Sequence, residues 1–420
     1  MRFSAIKGMH DVGPPEIKTW NFIEKIAREI FEQAAFFELR PPLLEEEALF
    51  QHAVGNTSDI VEKEMYAFED RNGKRIALRP EGTASLVRAY IERFAGAGGQ
   101  YSRFYYLGPM FRHERPQKGR FRQFTQIGAE VFGATSPYVD AEVIALANQL
   151  FKKLGLDSIR LQLNSLGCKD CRPVYRQELL KVLEPLREQL CAQCQDRLGR
   201  NPLRVLDCKN PSCQNLLQDI PKSLDSLCEP CVDHFNGVQK SLRDLNVAYE
   251  INDRLVRGLD YYVRTAFEFV SGDLGAQNAV AGGGRYDGLV ENLGGAPTPA
   301  IGFALGMERL VSLLENQTLP FSNPKKIFIA SLGQKAFQAL YPFLFKLRDL
   351  GYWVHTDFEG RSLKAQLREA NRWEVDWTLI AGELEIGRGL LQLKNMKESG
   401  ENKEIPLESL LGFFEEMKRI

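Results

Sequence analysis

Two segments rich in aromatic and β-branched residues, 103–110 and 122–132, are separated by a short polar and basic segment. This composition is typical of β-strands, and two strands joined by a short connection usually pair as antiparallel neighbours. The sequence therefore predicts a long antiparallel hairpin, around which the first part of the chain is expected to fold.

The connection within this hairpin is strongly basic. Between Arg103 and Arg122 the sequence has six basic residues and one acidic residue, Glu114. Guanidinium groups bind phosphate oxygens in pairs, so a loop of this composition is suited to holding a triphosphate. A solvated loop without a ligand is the alternative that the composition leaves open.

Hydrophobic patterns along the chain predict an α/β protein with two domains. Residues 1–322 are expected to form an α+β domain, in which helices flank a mainly antiparallel sheet. A cysteine-rich segment at about 168–245 has a helical pattern and interrupts this domain as an insertion. In residues 323–420 strands and helices alternate, which indicates a small C-terminal α/β domain.

Two local patterns give more detailed predictions for the first domain. Apolar side chains at helical spacing predict an amphipathic helix over residues 15–39. Three glycines at 282–284 follow a strand predicted over 278–281. They predict a turn, because few other residues reach the backbone angles that a tight turn requires.

Composition excludes several classes of protein. No apolar run approaches the length of about 20 residues that a membrane-spanning helix needs, and the N-terminus lacks an apolar signal core. We therefore expect a cytoplasmic protein without membrane attachment. The formal net charge of −1 argues against indiscriminate binding to nucleic acid, although it allows a local basic patch.

All eight cysteines lie between residues 168 and 231, and three of their four pairs have C-x-x-C spacing. The pairs are Cys168 with Cys171, Cys191 with Cys194, Cys208 with Cys213, and Cys228 with Cys231. In a reducing compartment this array predicts two tetrahedral four-thiolate zinc sites. The spacing does not reveal which pairs combine, and free thiols, an iron–sulfur cluster or disulfides are the alternatives.

A series of ordered motifs resembles those of the class II aminoacyl-tRNA synthetases and, among these, the histidyl enzymes. The motifs are KGMHDVGPPE near the N-terminus, residues 62–83, GPMFRHERPQKGRFRQFTQIGAEVFG at 108–133, LVRGLDYY at 255–262, GGGRYDGL at 282–289 and GFALGMERL at 302–310. The resemblance extends from residue 7 to about residue 395. It implies an enzyme that activates L-histidine with ATP and transfers it to the 3′ end of tRNA(His).

The resemblance also implies which residues bind histidine. The α-ammonium group would be held by Glu81, Thr83 and Gln126. The imidazole would lie between Glu130 and Tyr262, in a pocket that Tyr261 lines. A carboxylate that accepts one ring N–H, with a hydroxyl at the other nitrogen, would fix the tautomer and the ring plane. An exposed strand carboxylate is the alternative for Glu130.

ATP would be bound with Mg²⁺ by a second set of residues that the resemblance implies. They are Arg112, Glu114, Arg120, Arg257 and Arg309. Arg112 and Arg257 would act on the α-phosphate as the catalytic pair, and Arg309 would bind the γ-phosphate. An ion pair between Arg257 and a neighbour such as Asp260 is the alternative for Arg257. Residues 285–287 would brace the floor of the pocket.

Contacts with tRNA and a second subunit are further implications of the resemblance. Arg115, Gln117 and Lys118 in the basic loop would contact the extra 5′ guanosine. Lys364, Arg368 and Arg372 recur at one helical face of the C-terminal domain and would contact phosphates of the anticodon arm. A solvated helix face is the alternative for that stripe. The family is a homodimer built through roughly residues 36–50, and the cysteine-rich insertion would pack near the acceptor arm.

Two other functions fit parts of the sequence. A paralogue such as the regulatory subunit of ATP phosphoribosyltransferase would keep the fold without aminoacylating tRNA. The RGLDYY peptide, Glu130 and the C-terminal domain favour the enzyme instead. A zinc-dependent nucleic-acid-binding module would leave most of the chain unexplained. Because the family pattern does not require the cysteines, catalysis is not expected to depend on them.

Overall fold

The computed structural model describes residues 3–55, 58–96, 102–117, 119–275, 278–321, 324–398 and 402–419. The chain divides into two compact units, Met1–Leu319 and Pro320–Ile420. The boundary predicted near residue 322 falls close to this division, at a position outside the described residues. No helix in the described part of the chain is long and apolar enough to cross a membrane.

The first unit contains a large sheet, a small sheet and the helices packed on them. Its strands are β1 Phe37–Glu38, β2 Leu44–Glu46, β3 Tyr66–Glu69, β4 Arg75–Leu78, β5 Ser102–Phe111, β6 Gln123–Phe132, β7 Arg160–Ser165, β8 Glu250–Ile251, β9 Val263–Val270, β10 Ala279–Arg285 and β11 Ala300–Gly306. Its helices are α1 Ile17–Gln33, α2 Glu47–Val54, α3 Thr83–Arg93, α4 Pro137–Lys153, α5 Cys171–Leu183, α6 Ala192–Arg200, α7 Pro211–Leu216, α8 Glu229–Asp244, α9 Leu289–Asn292 and α10 Met307–Leu314.

The large sheet has the strand order β1-β5-β6-β11-β10-β9-β7-β8. The pairs between β5 and β7 along this order are antiparallel, whereas the edge strands β1 and β8 run parallel to their neighbours. Strands β5 and β6 are the hairpin predicted from composition, and they pair without a break over their full length. The predicted mainly antiparallel sheet flanked by helices is confirmed.

The turn predicted at residues 282–284 is wrong. These glycines lie inside strand β10, where they pair with both β9 and β11. At Gly283 an added Cβ would overlap the backbone carbonyl of Gly302 on β11 and the side chain of Phe267 on β9. The glycine run therefore permits close packing on the sheet surface, a tertiary requirement that local turn rules do not contain.

The opening helix is shorter than predicted. The pattern favoured residues 15–39, but α1 ends at Gln33, and Ala35 adopts a left-handed backbone conformation with φ 60°. A residue in this conformation ends a helix, and the chain then enters β1. The buried face of α1, which includes Trp20, Ile23 and Phe31, packs into the main hydrophobic core under the sheet.

The cysteine-rich insertion consists of helices α5 to α8 and short 3₁₀ turns, including Pro202–Asp207. Tyr175, Leu179, Leu198 and Val205 form a small core of its own together with buried cysteines. The insertion therefore holds itself together separately from the core beneath the large sheet, although α8 also packs against α4.

The second unit is built on a five-stranded sheet. Its strands are β12 Lys326–Leu332, β13 Trp353–Thr356, β14 Trp377–Gly382, β15 Leu390–Asn395 and β16 Lys403–Pro406, and its helices are α11 Gln334–Asp349, α12 Leu363–Arg372, α13 Glu383–Gly387 and α14 Leu410–Arg419. The strand order is β13-β12-β14-β15-β16, with β13, β12 and β14 parallel and the last two strands antiparallel. The alternation predicted for this part of the chain ends at β14, and β15 and β16 were not predicted.

Candidate active site

A cavity of about 640 Å³ opens over one end of the large sheet, and five arginines line it. Arg197 on α6 belongs to the insertion, and the other four are Arg112 after β5, Arg120 in the hairpin loop, Arg257 before β9 and Arg309 on α10. Antiparallel pairing of β6, β11 and β10 brings these segments together. Such convergence of guanidinium groups makes a site for a polyanion.

Two of these arginines are oriented by backbone carbonyls. The Nε of Arg112 donates to the carbonyl oxygen of Pro80 at 2.8 Å, and its guanidinium carbon lies 5.2 Å from the centre of the Phe124 ring. Arg309 donates to the carbonyl of Ala279 on β10. Burial lowers the pKa of Arg309, and the nearby charge of Arg120 lowers it further. Like charges held this close favour an anion between them.

Glu114 lies in the cavity wall and pairs with an arginine. Its Oε2 accepts from the Nε of Arg120 at 2.6 Å, and its backbone carbonyl accepts from Arg122. Glu114 therefore orients Arg120. Arg115 and Gln117 are exposed at the tip of the loop, and Lys118, which was predicted to contact tRNA, lies outside the described residues.

Arg257 forms an ion pair, but its partner differs from the alternative considered above. Its Nη1 lies 2.5 Å from Oε1 of Glu268 on β9, whereas Asp260 accepts a hydrogen bond from Asn201. The Nε of Arg257 is buried without a hydrogen-bond partner among the described residues. Burial tends to lower the pKa of Arg257, but the charge of Glu268 reverses this and raises it. The arginine is therefore charged.

The glycine at 282 makes room for this arginine. An added Cβ at Gly282 would overlap the guanidinium group of Arg257, which crosses the face of β10 at this point. The guanidinium carbon also lies 5.8 Å from the centre of the Tyr262 ring. Arg257 thus lies between the arginine-lined cavity and a second, more deeply buried group of side chains.

That second group contains two carboxylates with almost no solvent exposure, Glu81 at 3% and Glu130 at 1%. Oε1 of Glu130 accepts from the Thr83 hydroxyl at 2.7 Å, and Oε2 accepts from the Tyr286 hydroxyl at 2.6 Å. Glu81 accepts from the backbone N–H groups of Thr83 and Ala84 at the start of α3. Neither carboxylate has a lysine or arginine within salt-bridge distance in the described part of the chain.

Burial raises the pKa of both acids. It raises the pKa of Glu130 to about 8, although hydrogen bonds from Tyr286 and Thr83 act in the opposite direction. The pKa of Glu81 is also raised by burial, against the stabilising backbone N–H groups. Two desolvated acids side by side create a strong preference for a cation or for N–H donors between them.

Tyrosine rings surround these acids. Tyr261 packs 4.6 Å from Tyr262 and 5.6 Å from Tyr286, measured between ring centres. The hydroxyl of Tyr261 is buried and has no hydrogen-bond partner among the described residues. A buried phenol without a partner is costly unless a ligand supplies one.

Sequence reasoning missed Tyr106, which joins the two parts of the site. Its hydroxyl lies 3.5 Å from Oε1 of Gln126, a cavity-lining residue, and its ring fills the space that a Cβ at Gly82 or Gly128 would occupy. The two glycines that make room for this ring lie on different elements, so their relation to Tyr106 becomes visible only in the folded structure. Glu268 was missed for the same reason.

The pocket floor is braced by an ion pair buried behind the site. Arg285 is completely buried, and its Nη2 lies 2.7 Å from Oδ1 of Asp140 on α4. Asp140 also accepts from the Thr265 hydroxyl at 2.6 Å. Burial raises the pKa of Asp140 to about 6, against the effect of Arg285. These contacts fix β9, β10 and α4 relative to one another.

The eight cysteines gather into two groups of four. Cys168, Cys171, Cys228 and Cys231 form one set, Cys191, Cys194, Cys208 and Cys213 form the other, and the sulfurs of each set lie within 4.8 Å of one another. All eight are free thiols, and either set could hold a metal ion. This grouping supplies the combination of pairs that spacing left open.

The second thiol set also contributes to the cavity wall. Cys191 and Cys208 line it, together with Arg197 and Lys209 from the same part of the insertion. The insertion is therefore part of the candidate active site.

The predicted basic stripe lies in the second unit. Lys364, Arg368 and Arg372 are exposed on α12, whereas Gln366 and Ala370 on the same helix are buried. The stripe faces solvent.

Comparison with known proteins covers both units. A family model described as histidyl-tRNA synthetase matches residues 8–310, and a model described as an anticodon binding domain matches residues 326–417. A histidine–tRNA ligase of Trichlorobacter lovleyi is 49% identical over 409 residues, which cover 97% of each chain. One of Pelobacter propionicus is 51% identical over 403 residues, covering 96% of this chain and 97% of the relative.

A solved structure gives the same result for the fold. The apo histidyl-tRNA synthetase of S. aureus superposes with a TM-score of 0.84 at 34% sequence identity. The match covers 99% of this chain and all of the other.

Proposed function

Because this chain belongs to the histidyl-tRNA synthetase family and is a histidine–tRNA ligase, we propose that its two adjoining sites divide the activation reaction between them. The enzyme activates L-histidine with ATP to histidyl-adenylate and pyrophosphate, and then transfers histidine to the 3′ end of tRNA(His). The observation that carries the proposal is that two buried carboxylates, neither with a lysine or arginine at salt-bridge distance among the described residues, lie next to a cavity lined by five arginines.

The buried group binds histidine in this proposal. Glu81, with Thr83 and Gln126, receives the α-ammonium group, and Glu130 accepts one imidazole N–H. The aromatic walls are Tyr261 and Tyr262, of which Tyr262 meets the other ring nitrogen. A site that pairs each polar atom of its substrate rejects analogues that lack those atoms. The proximity of Glu81, Glu130 and the two tyrosines supports this arrangement.

The Tyr261 hydroxyl is a second candidate for an imidazole contact. It is buried and has no partner among the described residues, so a ligand atom would satisfy it. In that case both tyrosines of the RGLDYY peptide, and not Tyr262 alone, would form hydrogen bonds with the imidazole.

The arginine-lined cavity binds ATP. The histidine carboxylate attacks the α-phosphorus, the bond to the pyrophosphate oxygen breaks, and negative charge builds on the phosphoryl oxygens. This displacement needs positioning and positive charge more than proton transfer. We assign Arg112 and Arg257 to the α-phosphate, Arg309 to the γ-phosphate, and Arg120, oriented by Glu114, to the same pocket.

Mg²⁺ would enter with the nucleotide. Four carboxylates line the cavity: Glu114 and Glu268, which are each engaged by an arginine, together with Asp207 and Glu308. Mg²⁺ usually keeps several waters and binds through substrate phosphates with one or two carboxylates. The residues present fit that mode, in which the ion would neutralise phosphate charge.

An ATP–pyrophosphate exchange assay tests the proposal. Exchange should depend on L-histidine and on none of the other amino acids. Histidinol, which keeps the ammonium and imidazole groups but lacks the carboxylate, should compete with histidine without supporting exchange. Exchange stimulated equally by other amino acids would contradict the proposed pocket, and no exchange at all would contradict the proposed activation chemistry.

The second half-reaction requires tRNA on both units. We propose that residues 326–417 bind the anticodon arm through the stripe Lys364, Arg368 and Arg372, and that Arg115, Gln117 and Lys118 in the hairpin loop contact the 5′ guanosine. Exposed basic side chains at one-turn intervals match the phosphate spacing that such contacts need.

Replacing Lys364, Arg368 and Arg372 together by alanine is expected to raise the KM for tRNA about tenfold, because each phosphate contact adds to affinity in a salt-dependent way. Histidine-dependent exchange should stay unchanged, since it does not require tRNA. Steady-state aminoacylation at two salt concentrations measures the effect. Alanine at Lys335, which lies on another helix of the same unit, serves as the control, and an equal effect there would assign the change to general charge.

We propose that each thiol set binds one structural zinc ion. Measured sulfur separations of 3.6, 3.8 and 3.9 Å match the edge of about 3.8 Å expected for a tetrahedron with Zn–S bonds of about 2.3 Å. A disulfide would need sulfurs about 2.05 Å apart. The thiolates of an iron–sulfur cluster bind different iron atoms, so they lie farther apart than the ligands of a single ion.

The purified protein is expected to contain about two zinc ions per chain. A Cys168→Ser/Cys171→Ser double variant should keep about one, because it removes half the ligands of one set only. Elemental analysis after extensive dialysis gives the ratio. Less than about 0.3 zinc per chain in the unsubstituted protein would contradict the zinc proposal.

A homodimer built around residues 36–50 is part of the proposal. Phe37 is 71% exposed on edge strand β1 beside an apolar cavity that Leu39, Phe94 and Phe104 also line, while Phe36 and Phe50 are buried within the chain. An exposed apolar patch at a sheet edge is suited to pairing with a second copy. Light scattering that gives a monomer mass at micromolar concentration would contradict it.

We also propose a cytoplasmic location, where free thiols persist.

A further inference from the structure

The loop at residues 257–262, which carries Arg257 and both tyrosines of the RGLDYY peptide, is held from outside by the cysteine-rich insertion. Nη1 of Arg172 donates to the carbonyl oxygens of Asp260 at 3.2 Å and Tyr262 at 3.1 Å. Nη1 of Arg204 donates to the carbonyl oxygen of Gly258 at 2.8 Å. These bonds fix the backbone on both sides of the two tyrosines.

The residues that hold the loop adjoin the thiol sets. Arg172 directly follows Cys171, a member of the first set. Arg204 lies in the 3₁₀ turn Pro202–Asp207, between Cys194 and Cys208 of the second set. The position of each guanidinium group is therefore tied to the geometry of one set.

Both arginines are themselves constrained. Arg172 is half-buried, and its Nη1 donates to two loop carbonyls at once. Nη2 of Arg204 also pairs with Oδ2 of Asp59 at 3.2 Å. The Arg204 guanidinium group therefore contacts both Asp59 and the 257–262 loop. Hydrogen bonds from a charged donor are short and strong, and a rigid guanidinium group transmits position better than a flexible amine.

We propose that the insertion acts, through Arg172 and Arg204, as a clamp that positions the 257–262 loop for histidine activation. The inference rests on the proposed function and deepens it. It differs from the expectation that catalysis does not depend on the cysteines, because the clamp residues adjoin them in sequence. Arg172 and Arg204 are positioning residues, since they contact the loop carbonyls and act on substrates through Arg257 and the tyrosines.

The effect of losing this clamp should appear in the first half-reaction. A displacement of about 1 Å at a reacting group can reduce the rate about 100-fold. Arg172→Met keeps the length and apolar stem of the side chain but removes both hydrogen bonds. We expect kcat for histidine-dependent exchange to fall about 10- to 100-fold, and calorimetric affinity for histidine to weaken, while the KM for tRNA stays within about twofold.

Conservative and matched variants separate positioning from loss of folding. Arg172→Lys keeps the charge and one donor, so it should recover part of the lost rate. Arg176→Met, one turn later on the exposed side of α5, removes an arginine whose Nη2 donates to the carbonyl oxygen of Arg200 within the insertion. That control should behave as the unsubstituted protein. Zinc content and melting temperature are measured for all variants.

Arg204→Met gives an independent test at the other end of the loop and should show the same pattern. The proposal is overturned if Arg172→Met exchanges at the normal rate, if only tRNA transfer is affected, or if the rate loss follows zinc content and melting temperature without rescue by lysine. Absence of histidine-dependent exchange in the unsubstituted protein would overturn the proposed function and this inference with it. Normal exchange in that protein and in both methionine variants would overturn the clamp alone.

Discussion

Arg257→Ala is expected to reduce histidine-dependent pyrophosphate exchange about 10³-fold, the largest single effect we predict. The guanidinium group is half-buried beside the cavity, pairs with Glu268 at 2.5 Å and packs near the Tyr262 ring. In the proposed mechanism its loss removes positive charge from the α-phosphate, where negative charge builds during the displacement. Exchange kinetics at saturating ATP and histidine measure the loss in kcat.

The fold should survive this substitution, because Glu268 keeps partial solvent access after its partner is removed. A melting temperature within a few degrees of normal would establish that. Arg254→Ala, three residues earlier, is the matched control: its side chain donates to the carbonyl of Gln218 and is not among the residues that line the cavity. Near-normal exchange in Arg257→Ala would remove this arginine from the mechanism.

Glu130→Gln is expected to reduce kcat/KM for histidine about 100-fold, mainly through a higher KM. The amide oxygen can still accept a hydrogen bond from the imidazole. A hydrogen bond to a charged group contributes about 1.5–3 kcal/mol, more than one to a neutral group, and the amide lacks that charge. Thr83 and Tyr286 donate to different oxygens of Glu130, so in the glutamine one hydroxyl still donates to the amide oxygen and the other can accept from the NH2 group. The local structure should therefore persist. An unchanged kcat/KM would exclude Glu130 from imidazole recognition.

The raised pKa of Glu130 gives this prediction a pH signature. Because kcat/KM reports the free enzyme, it should fall as pH drops below about 8, where the carboxylate takes up a proton. The imidazole of free histidine titrates lower, near 6.5, so the two limbs can be distinguished. The limb near 8 should be absent in Glu130→Gln.

The free energy of unfolding should change with pH in the direction opposite to kcat/KM. The pKa of Glu130 is raised in the folded protein, so its contribution to stability is fully present below the unfolded-state pKa of about 4.3 and is lost as pH rises through about 8. The melting temperature of Glu130→Gln should therefore rise relative to the unsubstituted protein between about pH 5 and about pH 9. A constant difference would mean that Glu130 is ionised throughout this range in the free protein.

Local patterns predicted much of the fold. The hairpin of β5 and β6, the presence of helix α1 and the alternation of β12, α11 and β13 follow from composition and periodicity, which act over short stretches of chain. The helical character of the insertion was also visible. What these features share is that neighbouring residues alone determine them.

The remaining features depend on residues distant in sequence. The glycines at 282–284 suggested a turn, yet they lie in a strand because Arg257 and the next strand need the space. Periodicity could not identify Glu268 as the partner of Arg257 or Tyr106 as the ring between Gly82 and Gly128. The site roles came from resemblance to a family, and they stay predictions until the substitutions above are made.

The two groups of cysteines are nested along the chain: the set spanning 191–213 lies wholly inside the interval between the inner members of the set spanning 168–231. The entropic cost of closing a loop grows with the length of the flexible chain in it. Ligating the inner set first would shorten the flexible segment between the two halves of the outer set and so lower the cost of bringing them together. With zinc bound as proposed above, metal uptake during folding is expected to be ordered and cooperative, with the inner interval ligated before the outer.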